Sequence, residues 1–193
     1  MLEGVVPYPP ELAARYRQKG YWEDRSLASV FDEVFSRFAD RVAVVSGAER
    51  LTYRDLAQRA ERLALHLVRL GMRPLARVVM QLPNIPEFIA LYFALQKVGV
   101  IPVMALPPHR YLEIRQLVQL TDAVGYVIPD RMGEFSFVGL AERIRNECPS
   151  LRTILVHGQE APPGFTALGE LLRRESGIPS ERLDRIRIDP ADP

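Results

Sequence analysis

Short apolar segments alternate with helical segments along most of this chain, and that alternation limits the folds it can adopt. Near-continuous apolar runs occur at residues 76–82 (ARVVMQL) and 100–106 (VIPVMAL), and further runs lie at 124–130 and 151–158. Runs without polar alternation are typical of parallel strands covered on both faces. The intervening segments carry apolar residues at helical spacing. The sequence therefore predicts an α/β fold, with a mostly parallel sheet of about five or six strands flanked by helices on both faces.

Capping residues predict where two of the helices begin. Ser26 is a candidate N-cap for a helix over residues 27–38. Thr52 and Asp55 form a capping-box pattern in front of a leucine-striped segment that ends near Gly71. These local signals place the first two long helices before the first apolar run at 76–82.

Three parts are predicted along the chain. Residues 1–25 form a proline-rich N-terminal arm and a short helix, and residues 26–160 form the α/β subdomain. Residues 161–193 form a tail with one short helix and many turn residues.

Composition and charge exclude several classes of protein. The 193 residues are enough for one domain with a substantial core. The 25 basic and 24 acidic residues are interspersed, so we expect neither nucleic-acid binding nor a polybasic membrane patch. No apolar run approaches the ~20 residues that span a bilayer, and the N-terminus lacks a signal-peptide pattern. The single cysteine, Cys148, suits a reducing compartment, so we expect a cytoplasmic protein.

Self-sufficient catalytic motifs are missing from the sequence. It contains no G-x-x-x-x-G-K-[ST], G-x-G-x-x-G, H-E-x-x-H or G-x-S-x-G pattern, and no paired cysteines. A nucleotide enzyme of this fold class normally carries a glycine-rich loop whose amides hold phosphate, whereas the 12 glycines here are spread singly. The sequence therefore contains no motif that by itself identifies a catalytic, cofactor-binding or metal-ligating residue.

Three polar residues are candidates for the edge of a site because they follow predicted strands. Asn84 comes after the strand at 76–82, and His109 and Arg110 come after the strand at 100–106. Ligands of open α/β sheets gather at the carboxyl ends of the strands. Structural interpretations are also available. Asn84 could be a helix N-cap, and Arg110 could be a local cap or an ion-pair partner. We expect all three to shape the turns at the carboxyl edge of the sheet.

Other reactive residue types have structural interpretations. His66 lies with three arginines on the polar face of its predicted helix, which predicts a solvated side chain. His157 ends a predicted strand and is expected to meet water. Cys148 has no predicted base partner and is interpreted as an unreactive thiol. The basic cluster at 173–176 is interpreted as a solvated helix end.

Several segments together resemble the N-terminal part of the adenylate-forming enzyme superfamily. They are LTYRDL (51–56), RVVMQLPNIPEF (77–88) and VGVIPVMALPPHR (98–110). LTYRDL marks the whole superfamily, whereas QLPNIPEF with ALPPHR at this distance is similar to the aryl-acid branch, the 2,3-dihydroxybenzoate–AMP ligases of siderophore biosynthesis. The opening PYPPELAARYRQKGYW and the order of elements through YVIPD and LRTILVHG are also similar, so the likeness covers essentially all 193 residues.

The resemblance implies a two-step enzyme. An aryl carboxylate attacks the α-phosphate of Mg·ATP, which gives an acyl adenylate and pyrophosphate. The acyl group then passes to the phosphopantetheine thiol of an aryl carrier protein. ATP and Mg²⁺ are the implied cofactors of the intact enzyme, and the aryl acid and the carrier protein are its implied partners.

The resemblance also implies a division of labour. The family's Ser/Thr/Gly-rich phosphate loop, its aryl-acid pocket and its catalytic lysine have no counterpart in these residues. The resemblance therefore implies no catalytic, cofactor-binding or metal-ligating residue within this chain. We expect an N-terminal fragment that is inactive by itself and binds no cofactor firmly. Such a fragment would self-associate through the face that the rest of the ligase covers.

Two alternatives stay open. The acid could be salicylate or another benzoate, because the residues that select it are not among those matched. The chain could instead be a complete non-catalytic module that binds a partner or a small ligand at the sheet edge. A complete module is expected to have a polar surface and to be monodisperse.

Overall fold

The computed structural model describes residues 6–158 and 161–192. Residues 1–5 of the predicted arm, residues 159–160 at the predicted boundary, and Pro193 lie outside the described residues. The strands are β1 (Val42–Ser46), β2 (Glu49–Thr52), β3 (Arg77–Met80), β4 (Ile101–Met104), β5 (Gly125–Pro129), β6 (Arg131–Met132), β7 (Phe135–Ser136), β8 (Thr153–His157) and β9 (Thr166–Ala167). The helices are α1 (Pro10–Gln18), α2 (Leu27–Arg37), α3 (Tyr53–Arg69), α4 (Pro86–Val98), α5 (Tyr111–Thr121), α6 (Phe137–Glu147), α7 (Leu168–Arg173) and α8 (Glu181–Asp184).

A five-stranded sheet lies at the centre of the fold. Its strand order is β4-β3-β5-β8-β9, and every neighbouring pair is parallel. Two small antiparallel pairs, β1 with β2 and β6 with β7, lie outside it. The predicted α/β fold with a mostly parallel sheet is confirmed.

Helices cover both faces of this sheet. Successive strand residues face opposite sides, so Val78 and Met80 pack into one core with α3 and α4, whereas Val79 and Tyr126 pack into a second core with α5 and α6. A strand with two buried faces needs apolar residues at nearly every position. The apolar runs of β3, β5 and β8 have this cause, whereas β4 at the edge of the sheet is only partly covered.

The predicted capping residues are present at both helix starts. The Ser26 hydroxyl accepts a hydrogen bond from the Ser29 amide (3.2 Å) at the start of α2. At the start of α3, the Thr52 hydroxyl accepts from the Asp55 amide (3.1 Å), and the Asp55 carboxylate accepts from the Thr52 amide (2.8 Å). The capping box therefore forms with aspartate in place of the more usual glutamate.

The tail contains more regular structure than the single helix predicted for it. It contributes β9, α7 and α8, and β9 pairs with β8 as the fifth strand of the sheet. Leu168 and Leu171 of α7 are buried in the core that α3 and α4 form with the sheet. The prediction was wrong because β9 has only two residues, too few to leave a periodic signal.

The tail also overturns the prediction for His66, which is buried with 4% of its surface exposed. Its Nε2 atom lies 2.9 Å from the carbonyl oxygen of Arg174. Arg62 donates to the carbonyl of Leu172 (2.7 Å) and Arg69 to that of Ser176 (3.1 Å). Helix periodicity identified this polar face of α3 correctly, but it carries no information that a segment about a hundred residues later covers it with carbonyl groups.

The same contact modifies the prediction for the basic cluster at 173–176. The side chains of Arg173, Arg174 and Glu175 are exposed, as expected for a solvated helix end. Ser176 is buried, and its hydroxyl accepts from the Ile178 amide at 3.0 Å. Only the first three residues of the cluster are therefore solvated.

Replacing Asp55 with alanine is expected to lower the melting temperature at neutral pH and to have a smaller effect in acid. Hydrogen bonds from the Thr52 hydroxyl and then the Thr52 amide hold the pKa of the Asp55 carboxyl below its ordinary value. A depressed pKa stabilises the fold above the unfolded-state pKa of about 4, and this contribution is lost as the pH falls through the folded-state pKa. Thermal unfolding of both proteins between neutral and acidic pH measures the difference. A gap that widens in acid would contradict this assignment.

Candidate functional site

The strand order creates a switch point between β3 and β5. From β3 the chain crosses by α4 to β4 on one side, and it then returns past β3 by α5 to β5 on the other side. In sheets of this order, crevices outside the carboxyl ends of the two diverging strands are the usual ligand sites. Gln81 follows β3 and Asp130 follows β5, so these residues flank the expected crevice.

A buried side chain and a turn of the protein occupy the β3 side of this crevice. The Gln81 side chain is fully buried, and its amide nitrogen donates to the carbonyls of Leu106 (2.9 Å) and His109 (2.9 Å). Its amide oxygen accepts a hydrogen bond from the hydroxyl of Tyr126, which is also fully buried. Burial raises the pKa of the Tyr126 phenol well above its ordinary range, so this hydroxyl is a permanent donor. The turn that follows β4, residues 106–110, is thereby held over the end of β3.

His109 takes part in this turn through its backbone and its ring. Its amide donates to the Leu106 carbonyl at 3.0 Å. Its ring Nδ1 accepts from the Leu106 amide at 3.3 Å, which requires the proton of the neutral ring to be on Nε2. The half-buried imidazole is therefore part of the turn in this structure.

Arg110 extends from the turn to the other side of the crevice. One guanidinium nitrogen, Nη1, donates to the carbonyls of Pro107 (2.8 Å) and His109 (2.9 Å). The guanidinium carbon lies 4.0 Å from the ring centre of Phe135 and 5.7 Å from that of Phe137, both of which follow β5. Such stacking is a cation–π contact. Arg110 is also the N-cap residue of α5, and its amide donates to the Glu113 carboxylate at 2.9 Å.

Asn84 does not cap α4, so the N-cap interpretation is wrong. The helix begins at Pro86 with Ile85 as its N-cap residue, and no side chain caps it. Proline at the first helical position lacks an amide hydrogen and fixes its own φ, and it forces the preceding residue into an extended conformation. Ile85 has φ −126° and ψ 158°. Asn84 is consequently one residue too early, and its side chain is exposed near the crevice.

The structure therefore brings His109 and Arg110 into one turn and leaves Asn84 beside the neighbouring strand end. Gln81 and Tyr126, which organise this edge, were not among the predicted site residues. The sequence did contain a signal for one of them, because Gln81 is a polar residue inside the apolar run VVMQL. A polar side chain at a position that must be buried needs a hydrogen-bond partner.

Two other residues have structural roles here. Cys148 is buried, and desolvation raises the pKa of its thiol, which agrees with an unreactive cysteine. His157 is half-buried at the end of β8, and its carbonyl accepts from the Asp130 amide at 2.8 Å. Neither contributes a reactive group to the crevice.

The residues described at this edge do not identify a site for Mg·ATP. Magnesium ions in nucleotide sites are held by carboxylates together with phosphate oxygens, and across residues 6–158 and 161–192 no three His, Cys, Asp or Glu side chains are grouped to hold a metal ion. Asp130 is the carboxylate that flanks the crevice, and its Oδ1 accepts from the Arg131 amide at 2.6 Å. No catalytic step through ATP or magnesium can therefore be derived from this edge.

A separate groove lies between the N-terminal arm and the end of the tail. It has a volume of about 760 Å³. Its lining includes Tyr8, Tyr21 and Trp22 together with Arg17 and Pro190. It contains no residue of the sheet edge, so it is separate from the candidate site.

The fold and the carboxyl edge define a doubly wound α/β domain with a switch point between β3 and β5. Residues 31–180 match the AMP-binding enzyme family, and this chain belongs to that family. The match covers β1 to β9, including the complete parallel sheet.

Named relatives resemble the chain over most or all of its length. It is 45% identical over 193 residues to triostin synthetase I of Streptomyces triostinicus, and this alignment covers 100% of the chain and 34% of the relative. It is 40% identical to a salicylyl-CoA synthase / salicylate adenylyltransferase of a Streptomyces species, with coverage of 98% and 35%. It is 39% identical to the 2,3-dihydroxybenzoate-AMP ligase of Bacillus subtilis, with coverage of 82% and 30%. The chain thus spans about a third of the length of these relatives.

A solved structure gives the same result. The apo structure of Mycobacterium smegmatis MbtA superimposes with a TM-score of 0.87 and 36% sequence identity, over 98% of this chain and 34% of that protein. The arrangement of sheet and helices is therefore that of an adenylate-forming enzyme.

In the part of the chain that the structure describes, no helix combines the length and the apolar character needed to cross a membrane.

Proposed function

We propose that this chain is the N-terminal part of an aryl-acid AMP ligase. The observation that carries the proposal is similarity at 39–40% identity to relatives named for salicylate and 2,3-dihydroxybenzoate activation, over 98% and 82% of the chain. The activity would be formation of an acyl adenylate from an aryl acid and ATP, followed by transfer to a carrier-protein thiol. The cytoplasm is its proposed location.

The proposed substrate is 2,3-dihydroxybenzoate, with salicylate as the main alternative. The relatives named for these acids are nearly equal in identity to this chain, so identity alone does not favour one acid. Both acids carry a hydroxyl group ortho to the carboxylate. The chemical class is therefore a 2-hydroxyaryl carboxylic acid.

The proposed role of these residues is to form a scaffold. The described sheet edge is closed by Gln81 and the 106–110 turn, and it offers no set of ligands for Mg·ATP. In-line displacement at phosphorus needs cations and amides around the phosphates, and in this proposal other parts of the ligase supply them.

Exposed apolar side chains favour the ligase over a complete binding module. Met104, Leu106 and Leu112 are 47%, 63% and 71% exposed. They lie on the outermost strand of the sheet, in the turn after it and at the start of α5. Neighbouring exposed apolar residues commonly mark an interaction surface. In the ligase, the rest of the enzyme would cover this surface, and self-association of the isolated chain through it is part of the same proposal.

The 193-residue chain is expected to show no aryl-acid-dependent exchange of labelled pyrophosphate into ATP. The physical reason is the missing phosphate and magnesium ligands described above. The assay is run with 2,3-dihydroxybenzoate and with salicylate, and the B. subtilis 2,3-dihydroxybenzoate-AMP ligase is the active control. Exchange by the chain at a rate near that of the control would refute the scaffold role.

A chimera tests the family function directly. This chain replaces the matched third of the B. subtilis ligase, and the remainder of that enzyme supplies the reactive groups. Exchange that depends on an aryl acid supports the proposal. A folded, monodisperse chimera without exchange would count against it.

A further inference from the structure

The pair formed by Gln81 and Tyr126 connects the centre of the sheet to the 106–110 turn. Both side chains are 0% exposed, and burial of an amide and a phenol is costly unless they are hydrogen-bonded. Here the cost is offset, because the Gln81 amide bonds two carbonyls of the turn and accepts from the Tyr126 hydroxyl. Networks of this kind rigidify the groups that they join when every member is satisfied.

The direction of these bonds indicates what the pair fixes. Gln81 follows β3 and Tyr126 lies in β5, whereas both carbonyls belong to the turn after β4. A leucine at position 81 would fill similar space in the core, but the carbonyls of Leu106 and His109 would each lose one of two donors, keeping only the His109 amide and the Arg110 guanidinium, respectively. The specific contribution of the amide is therefore the position of the turn.

The 106–110 turn also holds the Arg110 side chain. The His109 carbonyl accepts from both the Gln81 amide (2.9 Å) and the Arg110 guanidinium (2.9 Å). The turn follows β4 and the two stacked rings follow β5, while β3 lies between these strands. The guanidinium consequently reaches from the turn after β4 to the rings that follow β5.

Arg110 retains unused hydrogen-bonding capacity. A guanidinium has five donors, and the described hydrogen bonds of the Arg110 side chain involve Nη1 alone. Nε and Nη2 have no acceptor among the residues that the structure describes. Their planar geometry suits a carboxylate or phosphate group.

We propose that Gln81, supported by Tyr126, is a positioning residue that fixes the 106–110 turn and thereby holds the Arg110 guanidinium as a rigid cation across the switch-point crevice. On the proposed ligase function, this cation would face an anionic oxygen of the substrates, either carboxylate or phosphate. Gln81 contacts no substrate in this proposal and acts through Arg110.

The first test measures the position of Arg110 in the 193-residue chain by NMR. Stacking at 4.0 Å on Phe135 should shift the Arg110 Nε–Hε resonance by ring current. Gln81→Leu is expected to abolish most of this shift, whereas core methyl resonances should keep their dispersion. Tyr126→Phe removes one hydroxyl and should reduce the shift partially, so it serves if Gln81→Leu does not fold. Gln58→Leu, at an exposed position of α3, is the matched control and should change nothing.

The outcomes separate this proposal from the proposed function. An unshifted Arg110 resonance in the unmodified chain, or a shift that survives in folded variants at both positions, would overturn the positioning role. In an active chimera, Gln81→Leu and Arg110→Gln should each lower kcat/KM for pyrophosphate exchange by about ten- to a hundredfold, with little further loss in the double variant. Full activity in both would overturn the substrate role of Arg110.

An inactive chimera would count against the ligase function, and the NMR result would still decide the positioning role.

Discussion

Leu91→Ala is expected to destabilise the chain by about 2–5 kcal/mol, the range found when a fully buried leucine is truncated. Leu91 is 0% exposed and lies on α4, which packs against α3 and the parallel sheet. The lost methyl groups leave a cavity that these elements can close only partly, because they are fixed by the strands on either side. Urea unfolding monitored by circular dichroism measures the change in the free energy of unfolding.

Leu120→Ala is the matched control for this prediction. Leu120 is 75% exposed on α5, so the same truncation there should change the unfolding free energy by no more than about 0.5 kcal/mol. Equal losses at the two positions would mean that α4 is not packed in the core. Because α4 follows directly on the segment that carries Gln81 and Asn84, loosening of this helix should also disturb the candidate site.

The fold could be predicted because its signals are local. An unbroken apolar run marks a strand with two covered faces, as in β3. Thr52 with Asp55 marks the start of α3. Each of these patterns is contained in a few neighbouring residues. The capping box forms with the hydrogen bonds that the sequence implies. Strand order needs one further rule, that crossovers between parallel strands contain a helix and have one hand.

The candidate site could be predicted only in part, because its contacts are between residues far apart in the chain. Parallel-sheet geometry brought His109 and Arg110 to the correct edge. The bonds of Gln81 join positions 25 and 28 residues apart, and the bond of His66 joins positions 108 apart. Periodicity in the sequence reports which face of an element is polar, and it does not report what that face contacts.

Asn84 illustrates a different kind of failure. Asparagine in front of a helix is a frequent cap, but the proline two residues later determines which residue occupies the cap position. The steric rule for the residue before proline applies to Ile85 and takes precedence over the side-chain preference of Asn84. The steric restriction that proline places on the preceding residue therefore determined the cap position, and the general preference for asparagine at helix N-caps did not.

The proposed function rests on sequence similarity to named relatives more than on the fold. Doubly wound α/β domains serve many unrelated activities, and the edge described here has no ligand set that would identify one. Family membership comes from residues 31–180, and the aryl-acid proposal comes from relatives with a third of their length in common with this chain. The structure adds a sheet edge at which the 106–110 turn is hydrogen-bonded to Gln81 and Arg110 is stacked on Phe135.

Gly99→Ala is expected to destabilise the chain by about 2–5 kcal/mol. Gly99 ends α4 with φ 71°, a left-handed conformation that costs other residues about 1–2 kcal/mol. A Cβ atom there would lie 3.1 Å from Ile188 and 3.2 Å from Pro74, so overpacking adds about 1–3 kcal/mol. Because Ile188 belongs to the tail, relief of the clash should displace that segment. Urea unfolding measures the total, and amide hydrogen exchange of residues 183–189 should become faster.

Gly71→Ala separates the two causes. Gly71 also has a left-handed conformation, with φ 83°, but an added Cβ would meet no atom within 4 Å. It should therefore cost only the conformational part, about 1–2 kcal/mol, and leave exchange in the tail unchanged. If the two variants lost the same stability, the contact between Gly99 and Ile188 would not constrain the tail. If Gly99→Ala alone accelerated exchange near Ile188, the end of α4 would be one of the points that fix the tail along the domain, together with the hydrogen bonds from Arg62, His66 and Arg69.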